Sequence, residues 1–224
     1  MTQSIVVIAP HPDDEVLGCG GVMAKCSGRG DSVHVVVVTR GDPGLFDDGE
    51  IERTRTELGR AHELLGVASC SFLDFPAPKL DTIPVHQVSD KISAVLGKLK
   101  PDVLYLPHSG DLHHDHRVTF AAAVVAARPL GGSSVKTILS YETLSETDFG
   151  VEGIGDAFVP NVFIDITEFV DLKLEAMRMY ASQLQSAPAT RSIESLRALA
   201  RLRGGAIAVG SAEAFRLVRH IDPT

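Results

Sequence analysis

Two short stretches hold most of the chain's unexplained polarity. His11-Pro12-Asp13-Asp14-Glu15 sets three consecutive acids beside a histidine, and residues 108–117, HSGDLHHDHR, carry four of the nine histidines. Imidazole nitrogens and carboxylate oxygens are donors that zinc takes in catalytic sites, where three protein ligands leave a further position open. Iron, cobalt or nickel suit the same donors, so the set points to one divalent cation per chain, zinc foremost, more firmly than to its identity. The plain alternative is that both stretches cap helices. Asp13, Asp14 and Glu15 would then serve one N-terminus and His114, Asp115 and His116 another, complementing the helix dipoles. Capping needs no histidine, however, and neither cap accounts for the other. A shared cation accounts for both.

Both stretches directly follow strand-like runs. Residues 4–9 are a short apolar run, 32–39 (SVHVVVVT) are rich in β-branched residues, and 70–75 and 102–107 complete four strand candidates. Between them lie helical patterns over 16–26, 50–65 and 85–99, with 116–127 following. Leu58, Ala61, Leu64 and Leu65 recur at helical spacing before Gly66, and Val88, Ile92, Val95, Leu96 and Leu99 form one stripe. Alternation of this kind predicts an α/β fold: a Rossmann-like, mostly parallel sheet with helices on both faces. Further strands are expected at 135–141 and 162–165, and helices at 168–182 and 192–203. The tracts 129–136 and 150–158 read as loops within one domain spanning 1–224. In the strand order 3-2-1-4, strands one and four are neighbours, and the crevice at their carboxyl ends binds ligands. That order would bring the two polar stretches face to face.

Composition sets bounds on function. A net charge of −8 on 224 residues argues against a general surface for nucleic acid or anionic membrane. The three cysteines, Cys19, Cys26 and Cys70, are odd in number and lack metal-type spacing, so a disulfide framework is not expected. No leader-like start and no apolar stretch of the roughly 20 residues needed for a membrane span is visible. The expectation is a reduced, cytoplasmic, soluble protein, with a homo-oligomer a fair default.

With these residues in view, the sequence resembles the PIG-L/LmbE-like family of zinc-dependent de-N-acetylases. The carrying motifs are APHPDDE (9–15) and HHDH (113–116), the latter inside D-x-H-x-D-H from Asp111. GDPG (41–44), RTRTELGRAHELLGV (53–67), YASQ (180–183) and GSAEAFRL (210–217) follow the family's order more loosely. The resemblance implies His11, Asp14 and His116 as metal ligands and Asp13 as general base. It implies His113 as the group that stabilises the tetrahedral intermediate and Asp115 as the acid orienting it. Arg53 is the implied substrate contact. The pattern departs here, because Thr54 stands where the family has arginine, flanked by Arg53 and Arg55. FPAPKLD (75–81) replaces an acid–glycine pair, and Tyr180 stands where many relatives have histidine.

The implied activity is hydrolysis of the acetamide of an N-acetylated amino sugar or glycoside, a small-molecule substrate. Asp13 would take the proton of the attacking water and return it to the departing amine. The competing expectations are an amidase acting on a larger amide, such as a thiol conjugate, and a sugar-binding relative without activity. Other polar residues have ordinary expectations. Glu15 supports the glycine loop or helix start, GCGG (18–21) serves close helix–strand packing, and His34 is a satisfied core residue. His62, His86 and His220 belong to surface or packing, His114 to solvent, and His108 to the pocket lining. The basic run 191–205 is a solvated helix face.

Overall fold

In a computed structural model describing residues 2–131, 133–151, 153 and 155–222, strands and helices alternate through the first half of the chain. β1 (Ser4–Ala9), α1 (Asp14–Gly28), β2 (Ser32–Gly41), α2 (Asp48–Leu65), β3 (Ser69–Ala77), α3 (Val85–Leu99), β4 (Val103–Pro107) and α4 (His114–Ala126) form four successive units. β5 (Thr137–Tyr141), β6 (Val162–Asp165), α5 (Val170–Met179), α6 (Ile193–Gly205) and β7 (Ala212–His220) follow. The seven-stranded sheet has the order β3-β2-β1-β4-β5-β7-β6. β1 to β5 run parallel, while β7 pairs antiparallel with β5 and with β6. The expected 3-2-1-4 neighbourhood is therefore present. Gly132, Glu152 and Ile154, inside the two expected loops, lie outside the described residues. Among the described residues no helix is long and apolar enough to cross a membrane.

Alternation along β1 divides the core. Ile5 and Val7 face one side, with Val33, Val35 and Val37 of β2 and the buried faces of α1, α2, α5 and α6. Val6 and Ile8 face the other, with Val36, Val38 and residues of α3 and α4 such as Val88, Ile92 and Ala122. A strand with both faces covered reads as a continuous apolar run, which is why residues 32–39 carried no alternation.

Helix α1 lies so close to its neighbours that two of its glycines are sterically required. A Cβ on Gly18 would stand 2.2 Å from the Tyr141 ring, and one on Gly21 would stand 2.6 Å from Ile166. The ring cannot retreat easily, because the Tyr141 hydroxyl donates to the Ile8 carbonyl at 2.9 Å. GCGG thus serves packing, as expected.

The same helix is clamped from β7. The buried Glu213 carboxylate accepts from the backbone N–H of Gly21 and Val22 at 2.9 and 2.7 Å. Lys173 of α5 donates to that carboxylate at 2.6 Å and to the Leu17 carbonyl at 2.8 Å. β7 was not anticipated as a strand. Its charged positions, Glu213, Arg216 and Arg219, break the apolar pattern, and the lysine that neutralises Glu213 lies 40 residues away. Removing one partner of a buried ion pair leaves an uncompensated charge. Lys173→Met is expected to lower stability in urea unfolding by about 3–5 kcal/mol, with Lys173→Met/Glu213→Gln recovering part of that loss.

Candidate metal and catalytic centre

The chain leaves β1 at Ala9, and Thr39 at the end of β2 fixes the exit. Both its N–H and its hydroxyl donate to the Pro10 carbonyl, at 3.0 and 2.7 Å. Asp13 then adopts φ 108°, ψ −28° as the residue preceding α1. A non-glycine residue with positive φ is strained, at a cost of about 1–3 kcal/mol, and such residues concentrate at functional sites. Its side chain makes no capping bond. Capping therefore does not explain Asp13. The twist also turns its carboxylate away from that of Asp14.

Glu15 holds the twist in place. Its Oε2 accepts from the Asp13 N–H at 3.1 Å, while its Oε1 accepts from the Tyr180 hydroxyl at 2.5 Å and from His62 Nε2 at 3.1 Å. Glu15 thus supports the helix start, as expected. His62, expected at the surface or in packing, is instead a buried partner of this acid. Burial and the Glu15 charge together push the Tyr180 phenol well above its ordinary range.

The second stretch arrives from β4. His113 precedes α4, and its Nδ1 accepts from the Asp115 N–H at 3.1 Å, so a histidine does perform a cap here. A neutral imidazole that accepts at one nitrogen donates at the other, which assigns a proton to His113 Nε2 on a ring lining the cavity. Burial and the neighbouring His11 pull His113 down to about 4, so it is neutral at physiological pH. The Asp115 carboxylate does not meet His113. It lies 3.1 Å from His11 Nε2 and accepts from the Leu80 N–H at 3.0 Å.

His11, Asp14 and His116 converge from these two elements. Asp14 Oδ2 is 3.2 Å from both His11 Nδ1 and His116 Nε2. Two donors sharing a tetrahedral cation through bonds of about 2.1 Å stand about 3.4 Å apart, so these separations suit one ion. His116 Nε2 is buried without a hydrogen-bond partner, the state in which an imidazole lone pair is free to coordinate. On its other side Nδ1 lies 2.8 Å from Asp111 Oδ2, and Asp111 accepts from the Thr147 hydroxyl at 2.6 Å. A carboxylate behind a ligating histidine fixes its tautomer and orientation. Asp111, the first residue of D-x-H-x-D-H, thus backs the buried histidine at the end of that motif. The donor set fits a divalent cation such as zinc. A second grouping, His11, His113 and Asp115, is equally compact, and it shares His11 with the first.

A cavity of about 390 Å³ opens beside this cluster, and His11, Asp13, His113, Arg40, Arg53 and Arg55 are among the residues that line it. Arg191 closes it. Its Nη1 is 3.2 Å from Asp13 Oδ2, and its Nη2 donates to the Ser145 hydroxyl at 2.7 Å. Burial, against the pull of Arg191, raises the Asp13 carboxyl to about 8, and a cation held by the three neighbouring donors would lower it again toward the carboxylate form that accepts a proton. The expectation that 191–205 is a solvated face fails at its first residue, since Arg191 precedes α6 and turns inward.

Other residues fall elsewhere. His108 does not line the cavity; it is buried, with Nε2 2.8 Å from the Asp156 carbonyl. His34 is half-buried near the start of β2, with Nδ1 2.8 Å from the Ser69 hydroxyl, and His86, His114 and His220 are exposed.

The chain is similar to known proteins over most of its length. The family described as PIG-L: GlcNAc-PI de-N-acetylase matches residues 6–127. The uncharacterized deacetylase YaiS of Escherichia coli is 32% identical, over 80% of this chain and 91% of its own. The diacetylchitobiose deacetylase of Thermococcus kodakarensis is 28% identical, over 81% of this chain and 70% of its own. The solved N,N'-diacetylchitobiose deacetylase of Pyrococcus horikoshii superposes with a TM-score of 0.76 at 28% identity, covering 98% of this chain and 86% of that one.

The turn at Asp13 gives this site's own test. Tyr180→Phe removes one donor from the buried Glu15 and is expected to cost about 1–3 kcal/mol in urea unfolding. Bound metal per chain should stay unchanged, because Tyr180 touches none of the three converging donors.

Proposed function

The chain belongs to the PIG-L, GlcNAc-PI de-N-acetylase, family, and we propose that it is a zinc-dependent hydrolase removing the acetyl group of an N-acetylated amino sugar or glycoside. The observation that carries this reading is the placement of Asp13. Its carboxylate lines the cavity next to a compact His11–Asp14–His116 donor group without belonging to it.

We assign His11, Asp14 and His116 to the cation and Asp13 to proton transfer. When bound, a zinc ion supplies Lewis acidity that polarises the amide carbonyl and acidifies water. Asp13 takes the proton of the attacking water as its oxygen bonds to the carbonyl carbon. The same carboxyl group then gives that proton to the nitrogen as the C–N bond breaks, releasing acetate and a free amine. His113 Nε2–H donates to the oxygen on which negative charge develops; one such donor is worth about 3 kcal/mol of transition-state stabilisation. Asp115 acts from behind, holding His11 through its carboxylate and His113 through its N–H. Arg191 keeps the Asp13 carboxylate facing the cavity, and Arg53 reaches substrate across it. Cys19, Cys26 and Cys70 are free thiols, which suits a reducing compartment, and we place the enzyme in the cytoplasm.

Acetate release from N-acetylglucosamine and N,N'-diacetylchitobiose tests the assignment. Turnover should vanish on dialysis against a chelator and return with one equivalent of zinc per chain. Turnover that persists in metal-free protein would remove the reading.

A further inference from the structure

Glu146 lines the same cavity, and the steps of hydrolysis leave it without a part. It stands on the turn after β5, the strand that adjoins β4 on the side away from β1. The shape of that turn does not depend on its carboxylate. The Glu146 N–H donates to the Thr143 carbonyl at 3.1 Å, and its own carbonyl accepts from the Leu112 N–H at 3.1 Å. On either side, the Ser145 N–H donates to Asp148 at 2.5 Å and the Thr147 hydroxyl donates to Asp111 at 2.6 Å. Ser145 is held at φ 75°, a strained value for a residue with a side chain, and such residues cluster at functional sites.

The carboxylate itself lacks a donor. Its side chain is only 14% exposed, yet among the described residues no hydrogen bond reaches it. Arg191 is the nearby cation, with Nη2 at 3.6 Å from Glu146 Oε1. That guanidinium is engaged elsewhere: Nε and Nη2 donate to the Ser145 hydroxyl at 3.1 and 2.7 Å, and Nη1 faces Asp13 at 3.2 Å. Burial raises the Glu146 carboxyl above its ordinary range. Water satisfies an exposed charge, whereas a mostly buried carboxylate stays costly until a donor meets it. The cavity is the side from which a donor can arrive. Arg191 also relates this acid to the chemistry. Asp13 and Glu146 face the two Nη atoms of one guanidinium, so a ligand whose amide nitrogen meets Asp13 has its neighbouring atoms beside Glu146.

On the deacetylase reading, we infer that Glu146 accepts a hydrogen bond from a ring hydroxyl of the N-acetylated sugar and so selects for that hydroxyl. Sugars offer neutral O–H donors, and a bond to an ionised acceptor is stronger than one between neutral groups. A site built to bond a hydroxyl rejects the analogue that lacks it, because its own buried group is then left unpaired.

The test crosses enzyme with substrate. Zinc-loaded wild type, Glu146→Gln and Glu146→Ala are assayed for acetate release from methyl N-acetylglucosaminide and from its deoxy forms, each lacking one hydroxyl. Glu146→Gln preserves the side-chain shape, and bound zinc and the urea midpoint are compared across the three proteins. One deoxy form should lose about tenfold or more in kcat/KM with wild type, chiefly through KM. The same form should lose far less with Glu146→Ala. Variants that lose one common factor on every substrate, as a side chain that merely steadied Arg191 would cause, overturn the inference. A wild type indifferent to every deoxy form overturns it as well. Calorimetry with the matching glucosamine glycosides, which lack the acetyl group, repeats the comparison without chemistry. Binding that depends on one hydroxyl in wild type but not in Glu146→Ala, with no acetate released from any substrate, would keep the contact and remove the deacetylase reading.

Discussion

Adjacent carboxylates with different tasks pose a geometric problem. Asp13 and Asp14 are separated by one peptide bond, and in a regular helix start both would serve the same N-terminus. Positive φ at Asp13 solves this by turning one carboxylate toward Arg191 and the cavity while the other meets His11 and His116. The strained turn persists because Glu15 accepts its N–H, and Glu15 in turn is held by α2 through His62 and by the end of α5 through Tyr180. Glu15, His62 and Tyr180 together keep this one residue in a conformation it would not choose alone.

Around that turn, buried charge is compensated at each step. Asp111 backs His116 and is itself held by Thr147; Asp115 backs His11 and is held by the Leu80 N–H. On the far side of α1, Lys173 and Glu213 satisfy each other and the helix backbone. Unpaired, any of these groups would cost several kcal/mol in a low-dielectric interior. The parallel sheet supplies the remaining condition, since adjacent β1 and β4 end at the same edge and deliver their loops to one point.

What the sequence made legible was local. APHPDDE and HHDH are contiguous, each follows a recognisable strand, and the β–α alternation implied the order that joins them. The helix over 85–99 was anticipated to the residue, whereas α1 and α4 each begin two residues earlier than periodicity suggested, because their first turns hold acids and histidines. The contacts that complete the site join distant positions. Arg191 is 178 residues from Asp13, and Tyr180 is 165 from Glu15. Neither pairing leaves a periodic or spacing signal, so Arg191 looked like one more basic residue on a helix face, and His62 like packing. β7 was hidden for a related reason: its buried acid is tolerable only beside a lysine from another helix.

The central claim is that Asp13 moves the proton while Asp14 and the two histidines hold the cation. Asp13→Ala, assayed for acetate release with bound zinc quantified in the same preparation, tests it most directly. The account predicts wild-type zinc per chain with turnover reduced by several orders of magnitude. A variant that keeps both its zinc and its turnover, or one that loses zinc together with turnover, would contradict it.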